Sequence, residues 1–163
     1  MPDHKGNFTA CSIFSGGGLL DYAFKDLFKI IWANEICKQA ADSYIENVGS
    51  HLRIGDINSI PISEIPFADV FIGGPPCQDY SSSGKNLGEN GERGKLVWKY
   101  VEIINAKKPL AFLFENVAGL ARKHKMTLLQ LISHFERVGY RVSWKVLNAS
   151  DFSTAQHRER VFL

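Results

Sequence analysis

Short apolar, β-branched runs that stop at glycine or proline alternate along this chain with stretches of helical apolar spacing. Residues 8–14 (FTACSIF) form a nearly continuous apolar run ending in glycines, as a strand covered on both faces should. Leu20, Ala23, Phe24, Leu27 and Phe28 then recur at helical spacing, residues 29–33 (KIIWA) read as a second strand, and residues 37–48 as a second helix closed by Gly49. A brief strand is expected at 54–57 and another at 68–72, stopped by Gly73, Gly74, Pro75 and Pro76. Residues 78–95 are polar and rich in Gly and Ser with no core-facing period, a loop longer than compact domains carry without a functional reason. Order returns with a helix over 96–106, a strand over 110–114, a helix over 127–138 and a strand over 140–147. Residues 160–163 open one more strand, and the chain stops there.

This alternation implies an α/β fold with a mostly parallel sheet, helices on both faces, and ligands at the carboxyl ends of the strands. A chain of 163 residues, 45% hydrophobic and 22% charged, suits one domain whose core needs neither disulfide nor metal. Its three cysteines, Cys11, Cys37 and Cys77, form no CxxC pair, so free thiols and no metal centre are expected. No apolar run approaches the roughly 20 residues of a membrane span, and the first seven residues are polar, which points to the cytoplasm. The net charge of +2 hides an asymmetry: residues 1–80 carry 5 basic and 10 acidic side chains, residues 81–163 carry 14 and 7. A basic second half suits a polyphosphate partner, or equally a solvated basic face.

Several residues at the strand ends carry possible chemistry. Gly16, Gly17 and Gly18 stand between the first strand and first helix, where a backbone must turn sharply and approach a ligand closely. The spacing is not GxGxxG, because Asp21 falls three after Gly18, which disfavours a dinucleotide pyrophosphate. Glu35 follows the second strand, where a carboxylate can accept from both hydroxyls of a ribose. Asp56 is a third polar contact on that rim or an ordinary turn aspartate. In residues 73–78 (GGPPCQ) the paired prolines fix the backbone just past a strand end and hold Cys77 at the ligand edge, where a thiol of lowered pKa is a nucleophile. Glu115 and Asn116 follow the next strand and should project from the same edge, Glu115 with a pKa raised by its apolar neighbours Phe114 and Val117. Gln156, Arg158 and Arg160 alternate, so on a strand they share a face suited to phosphate or carbonyl recognition, or to guarding an edge by charge.

FSGGGLLDYAF, GGPPCQDYSSSGK, FLFENVAGL and QHRERVFL, in this order, closely resemble the motifs of C5-cytosine DNA methyltransferases, and WANEICKQAADSYIEN resembles the segment after the first motif. The resemblance covers nearly all of residues 1–163 and implies the Rossmann-like methyltransferase fold with S-adenosyl-L-methionine as cofactor. It implies that Phe14, Gly16 and Gly18 line the methionine end, that Glu35 holds the ribose, and that Asp56 and Ile57 contact the adenine. Gly17, Leu19, Ile36, Pro75 and Leu96 belong to the same implied pocket. Cys77 is the implied nucleophile, Glu115 and Asn116 serve the target base, and Arg158 and Arg160 support the base and active-site loop. Gln78, Ser81 and Gln156 are implied on the substrate side. Tyr80 stands where the family more often has Phe.

Family members continue through a target-recognition region and a final helix and glycine-containing motif, so the chain is expected to be a fragment or one piece of a split enzyme. Its partners would be double-stranded DNA and a complementary polypeptide. Amino-methyltransferases carry an aromatic residue where Cys77 stands. RNA-directed cytosine methyltransferases share these motifs, and a non-catalytic module that only binds cofactor or DNA would retain most of them, so the residues leave both alternatives open.

Overall fold

The computed structural model describes residues 8–76 and 94–163. These fall into two compact units, one of residues 8–74 and 106–113, the other of residues 75–76, 94–105 and 114–163. Among the described residues the strand order is β3-β2-β1-β4 in the first unit and β5-β7-β6 in the second. Residues 77–93 lie outside the described residues, and with them most of the expected polar loop.

In the first unit β1 (Thr9–Ile13) pairs in parallel with β2 (Lys29–Glu35) and β4 (Val70–Gly73), and β2 pairs in parallel with β3 (Leu52–Ile54). Ala10, Cys11 and Ile13 are buried with Ala33, Phe71 and Ile72, and Ser12 is buried beside them, so β1 is covered on both faces and reads as a nearly continuous apolar run. The Asp69 carboxylate accepts from the Thr9 backbone N–H and hydroxyl at 2.8 and 2.7 Å, fixing the start of β1. α1 (Leu19–Phe24) is shorter than the apolar spacing predicts; Leu27 lies beyond it, exposed, and the one buried residue of the helix is Asp21. α2 (Lys38–Asn47) buries Ala41 and Tyr44. The third strand precedes the expected 54–57, because Gly55 at φ 149° and Asp56, which caps a 3-10 turn over Ile57–Ser59, end it.

In the second unit α3 (Gly94–Lys107) starts two residues before the expected helix and buries Val97, Tyr100, Ile103 and Ile104. Tyr100 meets Phe114 of β5 (Ala111–Val117) edge to face, with ring centroids 5.5 Å apart. Glu115 and Asn116 are therefore inside a strand rather than after it. A short helix, α4 (Ala118–Arg122), follows at once; five residues are too few to show a helical period. α5 (Lys125–Arg137) buries Leu128, Leu131 and Phe135, as their spacing predicts.

The strand expected over 140–147 narrows to β6 (Lys145–Asn148), because β7 (Glu159–Phe162) offers only four partners, from Lys145↔Phe162 to Asn148↔Glu159. β7 runs antiparallel to both β5 and β6. Gln156 falls in an exposed bend and Arg158 just before β7, so the alternation expected to align Gln156, Arg158 and Arg160 on one strand face does not operate. Asn148 holds that connection instead, its side-chain oxygen accepting from the Arg158 N–H at 3.0 Å.

Candidate active site

The turn after β1 is strained where the sequence is richest in glycine. Phe14, Gly16 and Gly18 all have positive φ, at 59°, 56° and 85°. A Cβ on Gly16 would meet nothing within 4 Å, whereas one on Gly18 would stand 2.5 Å from Val48 and 2.8 Å from the Tyr44 ring. One glycine therefore faces open space and the other seals the turn against α2. Gly17 is looser, its nearest neighbour being Ser43 Oγ at 3.6 Å.

The Glu35 carboxylate organises this rim. Oε2 accepts from the Gly16 N–H at 2.8 Å, and Oε1 accepts from the N–H groups of Ile36 and Cys37 at 2.9 and 2.8 Å. The Asp56 carboxylate accepts through Oδ1 from the Asn58 N–H and side-chain amide, at 2.9 and 3.1 Å. Leu19 (87% exposed) and Ile36 (65%) present apolar side chains, while Ile57 (2%) belongs to the core and can meet a ligand only through its backbone. As the first residue of its 3-10 turn, Ile57 has an N–H without an intrahelical acceptor. An open glycine cradle, a carboxylate and apolar side chains fit a nucleoside-bearing ligand with a small polar tail. Pro75, buried, and Leu96, half-buried in the first turn of α3, belong to the second unit.

Beneath the turn lies a polar cluster that the sequence reading missed. Asp21 is 0% exposed and accepts from Ser12 Oγ at 2.7 Å and Tyr44 Oη at 2.6 Å; Tyr44 Oη also lies 2.9 Å from His51 Nε2. Burial raises the Asp21 pKa against the opposing effects of Tyr44, Ser12 and His51, and burial lowers that of His51. The available signal was an acidic residue, Asp21, inside the apolar stretch of helical spacing from Leu20 to Phe28. Cys11 is no nucleophile candidate: burial pushes its thiol up to about 12.

In the second unit Glu115 stands opposite Phe162 and Val117 opposite Arg160, so Glu115 and Arg160 are diagonal neighbours on one face, and Arg160 Nε meets Glu115 Oε1 at 3.0 Å. Arg160 also donates through Nη1 to the Glu159 carbonyl at 2.8 Å. Burial raises the Glu115 pKa, opposed by Arg160 and Arg158. Asn116 points the other way. It is 1% exposed, donates to the Pro75 carbonyl at 3.2 Å, and accepts from the Val117 N–H at 3.0 Å. Cys77, Gln78 and Ser81 lie outside the described residues. A cleft of about 280 Å³ opens beside Glu115, between residues 117–119, Arg122 and Lys123 on one side and Glu159 and Arg160 on the other. Among the described residues no group of three or more His, Cys, Asp and Glu side chains could hold a metal ion, and no helix is long and apolar enough to cross a membrane.

The chain is 44% identical over 153 residues to the type II methyltransferase M.FnuDI of Fusobacterium nucleatum, covering 93% of this chain and 44% of that protein. It is 41% identical over 159 residues to the type II methyltransferase M.MthTI of Methanothermobacter thermautotrophicus, covering 96% and 48%. The chain thus spans about half the length of these relatives. Among solved structures, the Entamoeba histolytica methyltransferase EhMeth superposes with a TM-score of 0.80 at 19% identity, over 96% of this chain and 52% of that one, which supports the fold. The model of the C-5 cytosine-specific DNA methylases matches residues 8–163. This chain belongs to the C-5 cytosine-specific DNA methylase family.

Proposed function

We propose that these residues are the cofactor-binding and base-handling part of an enzyme that transfers a methyl group from S-adenosyl-L-methionine to C5 of cytosine in double-stranded DNA. The observation that carries the reading is the Glu115–Arg160 pair: a carboxyl of raised pKa beside a guanidinium, on one strand face. Cytosine C5 is a poor nucleophile while the ring is aromatic. A thiolate must add to C6, forming an S–C6 bond and moving an electron pair towards C5. Cys77 is the residue for that addition. Negative charge then grows at N3 and O2, where protonated Glu115 can donate to N3 and Arg160 can meet O2. When bound, the cofactor supplies an electrophilic methyl group on a sulfonium, which C5 takes. Loss of the C5 proton and elimination across C5–C6 return the thiolate.

Gly16, Glu35, Ile36 and the Asp56–Ile57 turn would hold the cofactor, Glu35 taking its ribose and Ile36 and the turn its base. Asn116 holds the Pro75 carbonyl and so steadies the backbone leading into Cys77. Arg158 reinforces the positive field at Glu115. The base must leave the duplex to reach this chemistry, at a cost of a few kcal/mol. Reading of the recognition sequence is assigned to sequence beyond these residues or to a complementary polypeptide, since half of each relative's length lies outside the match. The cytoplasm is the proposed setting.

The test joins cofactor binding with covalent trapping. Calorimetry should detect S-adenosyl-L-homocysteine, with weaker binding after Glu35→Ala; tighter binding of NADH would overturn the cofactor assignment. A 5-fluorocytosine duplex should give an adduct that survives denaturation with the unaltered protein and none with Cys77→Ser. An equal adduct from the serine variant would remove Cys77 from the mechanism, and trapping on single-stranded RNA in preference to the duplex would overturn the DNA assignment.

A further inference from the structure

The cleft beside Glu115 carries charges on Arg122, Lys123 and Glu159 that the base-handling chemistry does not use. Its wall carries three cations, Arg122, Lys123 and Arg160, and one carboxylate, Glu159. Arg122 is committed to Glu159 by two parallel bonds, Nη1 to Oε2 and Nη2 to Oε1, each 2.6 Å. Arg160 is committed to Glu115, which stands just outside the cleft. Lys123 is exposed and makes no ion pair with any described residue. With Glu115 ionised, one positive charge is left over, on Lys123.

The geometry points to this cleft as the seat of one backbone phosphodiester of the strand that carries the target cytosine, bound by Lys123 with Arg122, and with Glu159 as the group that competes for Arg122. A phosphodiester carries a single negative charge and so neutralises the surplus, whereas a neutral base leaves it unanswered. The planar fork of Arg122 suits two oxygens of a phosphate as well as it suits the two of Glu159. Arg160 touches Glu115 on one side and walls the cleft on the other, so a nucleotide with its base at Glu115 has its own backbone beside the cleft. Sixty per cent exposure leaves the Arg122 side chain free to exchange Glu159 for a phosphate oxygen. The inference rests on the DNA reading above and adds where on this unit the backbone docks.

The experiment is the salt dependence of binding to a fluorescent cytosine-containing duplex, read by anisotropy with the whole chain from low salt upwards. Each phosphate contact contributes about 0.9 to the slope of log K against log salt. Lys123→Ala should reduce the slope by about that amount, Lys123→Arg should keep it, and Lys38→Ala on α2 should leave it unchanged. Glu159→Gln should act in the opposite direction, tightening binding and steepening the slope as Arg122 is released. Thermal melts of each variant confirm that the fold is intact. Equal slopes for Lys123→Ala and the unaltered protein, or weaker binding by Glu159→Gln, would overturn the phosphate seat while leaving the DNA reading standing. Absence of any duplex binding at low salt by the unaltered chain would overturn both.

Discussion

Gly16 and Gly18 lie two residues apart in one turn, both at positive φ, yet replacing them by alanine should damage different properties. At either position an added Cβ costs about 1–2 kcal/mol for the left-handed backbone. At Gly16 nothing further opposes it, because no atom lies within 4 Å of the new carbon. At Gly18 the new carbon falls 2.5 Å from Val48 and 2.8 Å from Tyr44, and the Tyr44 ring cannot swing away while its hydroxyl is held by buried Asp21. Overpacking of this kind adds about 1–3 kcal/mol. Gly18→Ala should therefore lose about 2–5 kcal/mol; at about 3 kcal/mol the Tm of a chain this size falls by roughly 6–12 °C. Gly16→Ala should lose only the backbone cost of about 1–2 kcal/mol but bind S-adenosyl-L-homocysteine at least tenfold more weakly, since its methyl enters the space proposed for the ligand. The assay is urea unfolding beside calorimetry for both variants, with Val48→Ala added to each. Shaving Val48 should recover about 1 kcal/mol in the Gly18→Ala background and none in the Gly16→Ala one. Equal destabilisation by the two glycine variants would refute the argument that Gly18 is packed against α2.

Asp21 gives a pH dependence of definite sign. Because burial raises its folded pKa, the folded chain holds that proton more tightly than the unfolded chain. The stability it contributes is complete below the ordinary aspartate range and is lost as pH rises through the raised value. The Tm of Asp21→Asn minus that of the unaltered protein should thus grow more positive from about pH 4 towards neutrality; the reverse trend would mean that the bonds from Tyr44 and Ser12 outweigh burial. Asn116→Ala should cost about 1–3 kcal/mol in urea unfolding by stranding the Pro75 carbonyl, and a negligible loss would show that this bond does not anchor the segment.

Residues 8–14 and 68–72 announced their strands because β1 and β4 are buried, and apolar runs ended by glycine leave little choice. The glycine turn and Glu35 were legible through chemistry at strand ends, although Glu35 proved to be the last residue of β2 and a partner of the turn's own backbone. Asn116 was placed after β5 rather than inside it, where alternation sends its side chain to the face opposite Glu115 and onto the Pro75 carbonyl. Gln156 was assigned to a strand whose length depends on pairing that no local pattern encodes. Asp21 entered the sequence reading only as a departure from dinucleotide spacing; its partners Ser12, Tyr44 and His51 come from three other segments, and only the fold assembles them.

β5 is restrained on both sides like a stayed mast. Glu115 is tied to Arg160 at 3.0 Å on one face and Asn116 to Pro75 at 3.2 Å on the other. Rolling the strand about its long axis would have to lengthen one tie while slackening the other, so the pair resists torsion that neither residue could resist alone. Consecutive side chains on a strand have opposite lever arms, and here both arms are fastened. The direction in which Glu115 presents its carboxyl is thereby set by the backbone itself, leaving the side chain only its own rotamers to explore.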